Sequence, residues 1–154
     1  MDAVNPLTRV CALLNQHAAQ YLVVGAQAGI LHGHIRTTED VDILIPEDEA
    51  NHARVIAALS ELEDHAAAEL TPQDLIENIV VKIADEVEVD LSTRAWKVSF
   101  ADAIPTALKI SIDGIEIPYL DLSTLIASKD TCRDQDQVDV QILREIARRQ
   151  PKPK

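Results

Sequence analysis

The chain has 154 residues, 47% of them apolar but only 3% aromatic, which suits one domain with an aliphatic core of Val, Ile, Leu and Ala. Its formal charge is −12, made up of +4 in residues 141–154 and −16 in the rest. That acidic body repels a phosphate backbone and argues against unaided tight binding to nucleic acid; the basic end reads as a solvated helix terminus and frayed tail.

Asn5 is a good N-cap and Pro6 suits the first helical position, and Leu7, Val10, Cys11 and Leu14 then repeat at helical spacing. The apolar run Tyr21–Gly25 reads as a short buried strand stopped by glycine, and residues 26–34 are mostly helix formers. A second strand follows in "DVDILIP". Its alternation puts Asp40 and Asp42 on one face and Val41, Ile43 and Ile45 on the other. Pro46 ends it, and Glu47, Asp48 and Glu49 favour a helix start whose apolar face would be Ala53, Ile56, Ala57 and Leu62. Thr71, Pro72 and Asp74 suggest a short capped helical turn. "NIVVKIAD" and "EVEVDLS" alternate as two strands, read as a hairpin, and Asp113-Gly114 between alternating apolar residues is the strongest short hairpin signal. A helix capped by Asp121 or Ser123 comes next. Val138, Ile142 and Ile146 mark a last helix that breaks before Pro151. The expectation is an α+β chain, a central mixed sheet with helices packed on it, as one domain over 1–150 with a disordered tail at 151–154. Hairpins beside a strand–helix–strand start exclude a doubly wound parallel sheet.

Cys11 and Cys132 stand far apart without metal-type spacing and read as free thiols in a reducing cytoplasm. No stretch is long or apolar enough to span a membrane, and the N-terminus lacks a signal-peptide pattern, so a cytoplasmic protein is expected.

Two like charges side by side on a strand are costly unless a cation lies between them. Gly25 ends the first strand where a helix begins, and helix-start N–H groups with a close backbone approach can take a phosphate. Asp40 and Asp42 follow about fifteen residues later. Carboxylates near a phosphate turn are what Mg²⁺-assisted nucleotidyl or phosphoryl transfer needs, because Mg²⁺ takes hard oxygen ligands and shares phosphate oxygens with its substrate. A third acid is available if "EVEVDLS" lies beside the Asp40 strand: Asp90, or Glu88, on the face opposite Val87, Val89 and Leu91. His32 and His34 are not the ligands this oxygen-favouring chemistry uses. Trp96, the only tryptophan, is expected to pack in the core, with a ledge for a base as the alternative.

The segment "VVGAQAGILHGHIRTTEDVDILI" resembles the core motif of the DNA-polymerase-beta-type nucleotidyltransferases, with Gly33, Arg36, Thr38, Asp40 and Asp42 matching G-x-x-R-x-T-x-D-x-D. That form is typical of small bacterial members, the minimal nucleotidyltransferases and the AbiEii-type toxins. "DLSTLIASKDTCRDQDQVDVQIL" is similar to the C-terminal pattern of the group, matched by Lys129, Arg133, Asp136 and Asp139. The resemblance implies a nucleotidyltransferase fold. It also implies a reaction in which a nucleoside monophosphate passes from an NTP to a protein or RNA hydroxyl. Asp40, Asp42 and Asp90 would be the catalytic and Mg²⁺-holding carboxylates, around two ions with bound NTP. Gly25, Ala26, Lys129 and Arg133 would bind the nucleotide, with Lys129 and Arg133 four apart on one helix face. The sequence departs from the pattern at Ala26, which stands where Gly or Ser is usual, and at Gln135, which often is Lys. These departures lean toward the alternative, a catalytically weak or regulatory binding module that holds a toxin or antitoxin partner. A metal-dependent phosphohydrolase fits the carboxylates but not the order of motifs.

Overall fold

The computed structural model describes residues 5–150; the expected tail at 151–154 lies outside the described residues. Helix α1 (Pro6–Gln16) starts as expected, the Asn5 side chain accepting from Leu7 N–H at 2.9 Å. β1 (Leu22–Val24) runs directly into α2 (Gly25–Leu31), and β2 (Val41–Leu44) leads to α3 (Glu49–Leu59). α4 (Pro72–Glu77) carries the Thr71–Asp74 capping box. β3 (Val80–Ala84) and β4 (Glu88–Ser92) form the expected hairpin, pairing from Val80↔Ser92 to Ala84↔Glu88. A small second hairpin, β5 (Arg94–Ala95) and β6 (Val98–Ser99), and a short α5 (Phe100–Ala103) were not visible in the sequence pattern. β7 (Leu108–Ile112) and β8 (Ile115–Tyr119) turn through Asp113 and Gly114 at φ +52° and +80°, the left-handed pair that a two-residue hairpin requires. α6 (Leu122–Lys129), capped by Asp121, and α7 (Asp134–Arg149) complete the chain.

Six strands form one mixed sheet in the order β3-β4-β2-β1-β8-β7. β1 is antiparallel to β2 and parallel to β8, while β2 and β4 are parallel. The core is aliphatic as composition requires: Leu22, Val41, Ile43, Leu44, Val89, Ile117 and Leu125 are fully buried. α1 packs on α3 and β8, α2 on β1, β2 and α6, and α6 on α7. No helix among the described residues is long and apolar enough to cross a membrane. Cys11 is buried, Cys132 is exposed, and both are free.

Three expectations about packing are corrected. α3 buries Asn51, His52, Val55, Ala58 and Leu59; of the expected face, Ala53 and Ala57 are exposed, Ile56 is half-buried, and Leu62, past the helix end, is buried. Asn51 fills a backbone need there, accepting from Gln20 N–H at 2.7 Å and donating to Gln20 C=O at 2.9 Å, while His52 Nε2 donates to Pro46 C=O at 2.8 Å. α7 packs through Asp139, Val140 and Leu143, leaving Val138 and Ile142 exposed. Its rotation is set by an ion pair of Asp139 described below. Trp96 is not core; it stands at the tip of the small hairpin, exposed.

Candidate active site

The site begins where β1 meets α2. Gly25 has φ +65°, and a Cβ built on it would lie 2.0 Å from Asp42 Oδ2. The register explains the proximity: Val24 pairs with Asp42 across the antiparallel β1–β2 ladder. Glycine is needed here to leave room for a carboxylate, as well as for the left-handed backbone. Sequence reasoning gave that glycine the end of the strand and a close approach for phosphate, not room for a carboxylate.

On the other side of β2, Asp42 pairs directly with Asp90 in the parallel β2–β4 ladder. Neighbouring strands lie about 4.8 Å apart, so two carboxylates in register on one face repel each other strongly. Burial, and then the Asp90 carboxylate, push the Asp42 pKa up from 3.8 to about 7, with Asp40 adding to the rise and Lys129 opposing it. Asp90 Oδ1 is buried and has no hydrogen-bond partner. A buried acceptor without a donor is costly and calls for a cation, a proton or an ordered molecule.

Asp40 stands just before β2 and lines the same cleft, but its nearest influence is Glu88. Contact with the Glu88 carboxyl pushes Asp40 up, and Glu88 is held down by that contact and by Lys82, whose Nζ lies 3.0 Å from Glu88 Oε1. Among the described residues no three His, Cys, Asp or Glu side chains are arranged to hold a metal ion. Mg²⁺, however, needs only one or two carboxylates, completing its shell with water and substrate phosphate. The Asp42–Asp90 pair, with an unpartnered buried oxygen, fits that requirement.

Around these carboxylates lies a cleft of about 680 Å³ that gathers all seven expected site residues: Gly25, Ala26, Asp40, Asp42, Asp90, Lys129 and Arg133. Lys129 and Arg133 do not share a helix face, because α6 ends at Lys129 and Arg133 is the N-cap of α7. Lys129 is buried and its Nζ lies 2.8 Å from Asp139 Oδ2. Arg36 Nη1 donates to both Asp139 oxygens at 3.2 and 3.3 Å, and Gln135 Nε2 donates to Oδ1 at 2.9 Å. Burial alone would push the Asp139 carboxyl up, but Lys129, Gln135 and Arg36 hold it below the usual range. Gln135 helps to fix this carboxylate. Arg133 is mostly exposed, with only a loose 3.8 Å approach to Asp136. His32 Nε2 donates to Leu120 C=O at 2.8 Å, a structural role.

Sequence reasoning missed the Asp40–Glu88 contact and the role of Asp139 as a hub, both of which depend on which strands and helices become neighbours. It also missed Val80, Arg94 and Ala95, which line the cleft together with Trp96.

No protein-family model matches the chain, and no curated protein matches it in sequence. Among solved structures it is similar to a candidate nucleotidyltransferase from Thermotoga maritima. The TM-score is 0.57 at 16% identity, over 94% of this chain and 91% of that one. At that identity the likeness shows the fold alone: a mixed sheet with flanking helices in the nucleotidyltransferase arrangement.

Proposed function

We propose that this chain is a nucleotidyltransferase that moves a nucleoside monophosphate from an NTP to a hydroxyl of a protein or RNA acceptor. The observation that carries this is the in-register Asp42–Asp90 pair with its unpartnered buried Asp90 Oδ1, set against Gly25 at a helix start. The backbone N–H groups of Gly25 and Ala26, at the first turn of α2, have no intrahelical acceptor and are suited to phosphate oxygens. Mg²⁺ held by Asp42 and Asp90 would neutralise triphosphate oxygens and lower the pKa of a hydroxyl brought to it. Asp90 would accept the proton of the acceptor hydroxyl as its oxygen attacks the α-phosphorus; the bond to the bridging oxygen would break and pyrophosphate leave. Arg133, mostly exposed and only loosely paired with Asp136, can meet the phosphate charge. Lys129 contributes field from behind, since its ammonium is already paired with Asp139.

The test is calorimetric titration of ATP, GTP, CTP and UTP with Mg²⁺ into the wild type and Asp42→Asn. Binding that the substitution abolishes supports transfer; no binding of any NTP sinks it.

The second reading is a catalytically weak module of the AbiEii-like kind that holds a protein partner, such as a toxin or antitoxin. It is favoured by the commitment of Lys129, Arg36 and Gln135 to Asp139 and by the contact of Asp40 with Glu88. Capture of a partner that persists when Asp40 and Asp42 are both changed to Asn, without nucleotide transfer by the wild type, would select it.

A further inference from the structure

The chain has four aromatic residues, and three of them, Tyr21, Phe100 and Tyr119, are buried. Trp96 is 48% exposed. It lies in the wall of the cleft that holds Asp42 and Asp90, beside Val80 and Ala95. Its backbone is also unfavourable. Trp96 is the first of two turn residues between β5 and β6, at φ +57°, a position where hairpins favour glycine or asparagine. A bulky side chain in this conformation costs of order 1–3 kcal/mol and recurs at ligand-binding sites. The largest apolar side chain of the protein is therefore held out of the core, on a strained tip, at the candidate active site.

The cleft shows what such a side chain could meet. Asp42 on β2 and Asp90 on β4 line it together with Gly25 and Ala26 after β1, and Val80, Ala95 and Trp96 add apolar and aromatic surface to its wall. The carboxylates suit the Mg²⁺-bound phosphates of a nucleoside triphosphate, and the apolar and aromatic surface suits its base.

We propose that Trp96 is the stacking shelf for the nucleobase of the bound NTP. The proposal rests on the nucleotidyl-transfer reading above and adds what that reading leaves open, how the base is held. The Lys97 ammonium lies 5.8 Å from the centre of the Trp96 ring, close enough to attract its face. The base takes the other face. Every base has a π-face, so a shelf of this kind admits all four NTPs and discriminates weakly among them.

Trp96 is the only tryptophan, so its emission reports on the shelf alone. The experiment titrates the full-length protein, with Mg²⁺ and no acceptor, with each NTP and with inorganic tripolyphosphate. It follows fluorescence and heat together. The expected result is quenching by all four NTPs and binding of tripolyphosphate without quenching. Trp96→Ala should weaken NTP binding about 5- to 100-fold, the range of one base–aromatic stack, and leave tripolyphosphate affinity unchanged. Trp96→Phe should recover most of the loss. NTP binding without quenching, together with an unchanged affinity in Trp96→Ala, would overturn the shelf and leave the transfer reading standing. An equal loss of tripolyphosphate affinity in Trp96→Ala would also overturn it, because Trp96 would then act by holding the fold. Silence to every NTP in both heat and emission would fail the transfer reading itself.

Discussion

Replacing Asp42 by Asn should make the metal-free protein more stable at neutral pH, although it removes a proposed functional group. Asp42 is largely buried, in register with Asp90 and beside Asp40, and its pKa is raised from 3.8 to about 7. A rise of that size corresponds to a ceiling of about 4 kcal/mol, at 1.36 kcal/mol per pH unit. Partial exposure and the opposing Lys129 reduce the expected gain to about 1–3 kcal/mol. The sign follows from proton linkage. The folded protein holds this proton more tightly than the unfolded chain, so ionising Asp42 costs stability as pH rises from about 4 to about 7. Asparagine has the same shape, does not ionise, and offers an N–H₂ to the unpartnered Asp90 Oδ1. Urea unfolding in EDTA should therefore give Asp42→Asn and wild type nearly equal midpoints near pH 4, with the variant pulling ahead by pH 8. A variant equal to or weaker than wild type at pH 8 would refute the account of a strained carboxylate pair.

Other substitutions probe separate parts of the argument. Gly25→Ala puts a Cβ 2.0 Å from Asp42 Oδ2 on a left-handed backbone, so a loss of about 1–3 kcal/mol is expected in thermal unfolding; an unchanged Tm contradicts the cradle. Asp139→Ala leaves the buried Lys129 ammonium without its carboxylate and should cost about 3–5 kcal/mol by urea unfolding. The Asp139 pKa is held below 3.8, so its stabilisation is complete above that value and lost as pH falls below it. An acid-unfolding profile of Asp139→Asn parallel to wild type below pH 4 would contradict this. Asn51→Ala strips both side-chain partners from the Gln20 backbone and should cost about 1–3 kcal/mol, again read from urea unfolding.

What was legible in the sequence was local. Asp113-Gly114 states its own turn, Thr71 and Asp74 their own cap, and alternation puts Asp40 with Asp42 and Val89 with Leu91. The value of those carboxylates depends on a neighbour relation that alternation does not contain: β4 lies parallel to β2, with Asp42 opposite Asp90. The same limit explains α7. Val138, Ile142 and Ile146 have helical spacing and look like a buried stripe, yet the Asp139 contacts with Lys129 and Arg36 rotate the helix so that Val138 is 49% and Ile142 37% exposed. In α3 the many alanines leave the face ambiguous, and polar Asn51 and His52 are buried because each meets a backbone group. Two-residue strands such as β5 and β6 carry too little periodicity to be read, so the exposed place of Trp96 at their turn was not legible. Gly25, by contrast, was found, although its main work is to make room for Asp42.

The central claim is that the Asp42–Asp90 pair supports nucleotidyl transfer. The most direct measurement is incorporation of label from α-labelled NTPs into acceptors in a cell lysate, with Mg²⁺, by wild type and Asp42→Asn. Label transferred by the wild type and lost in the folded, more stable variant is the predicted result. Equal incorporation by both, or none by the wild type with any of the four NTPs, would contradict it.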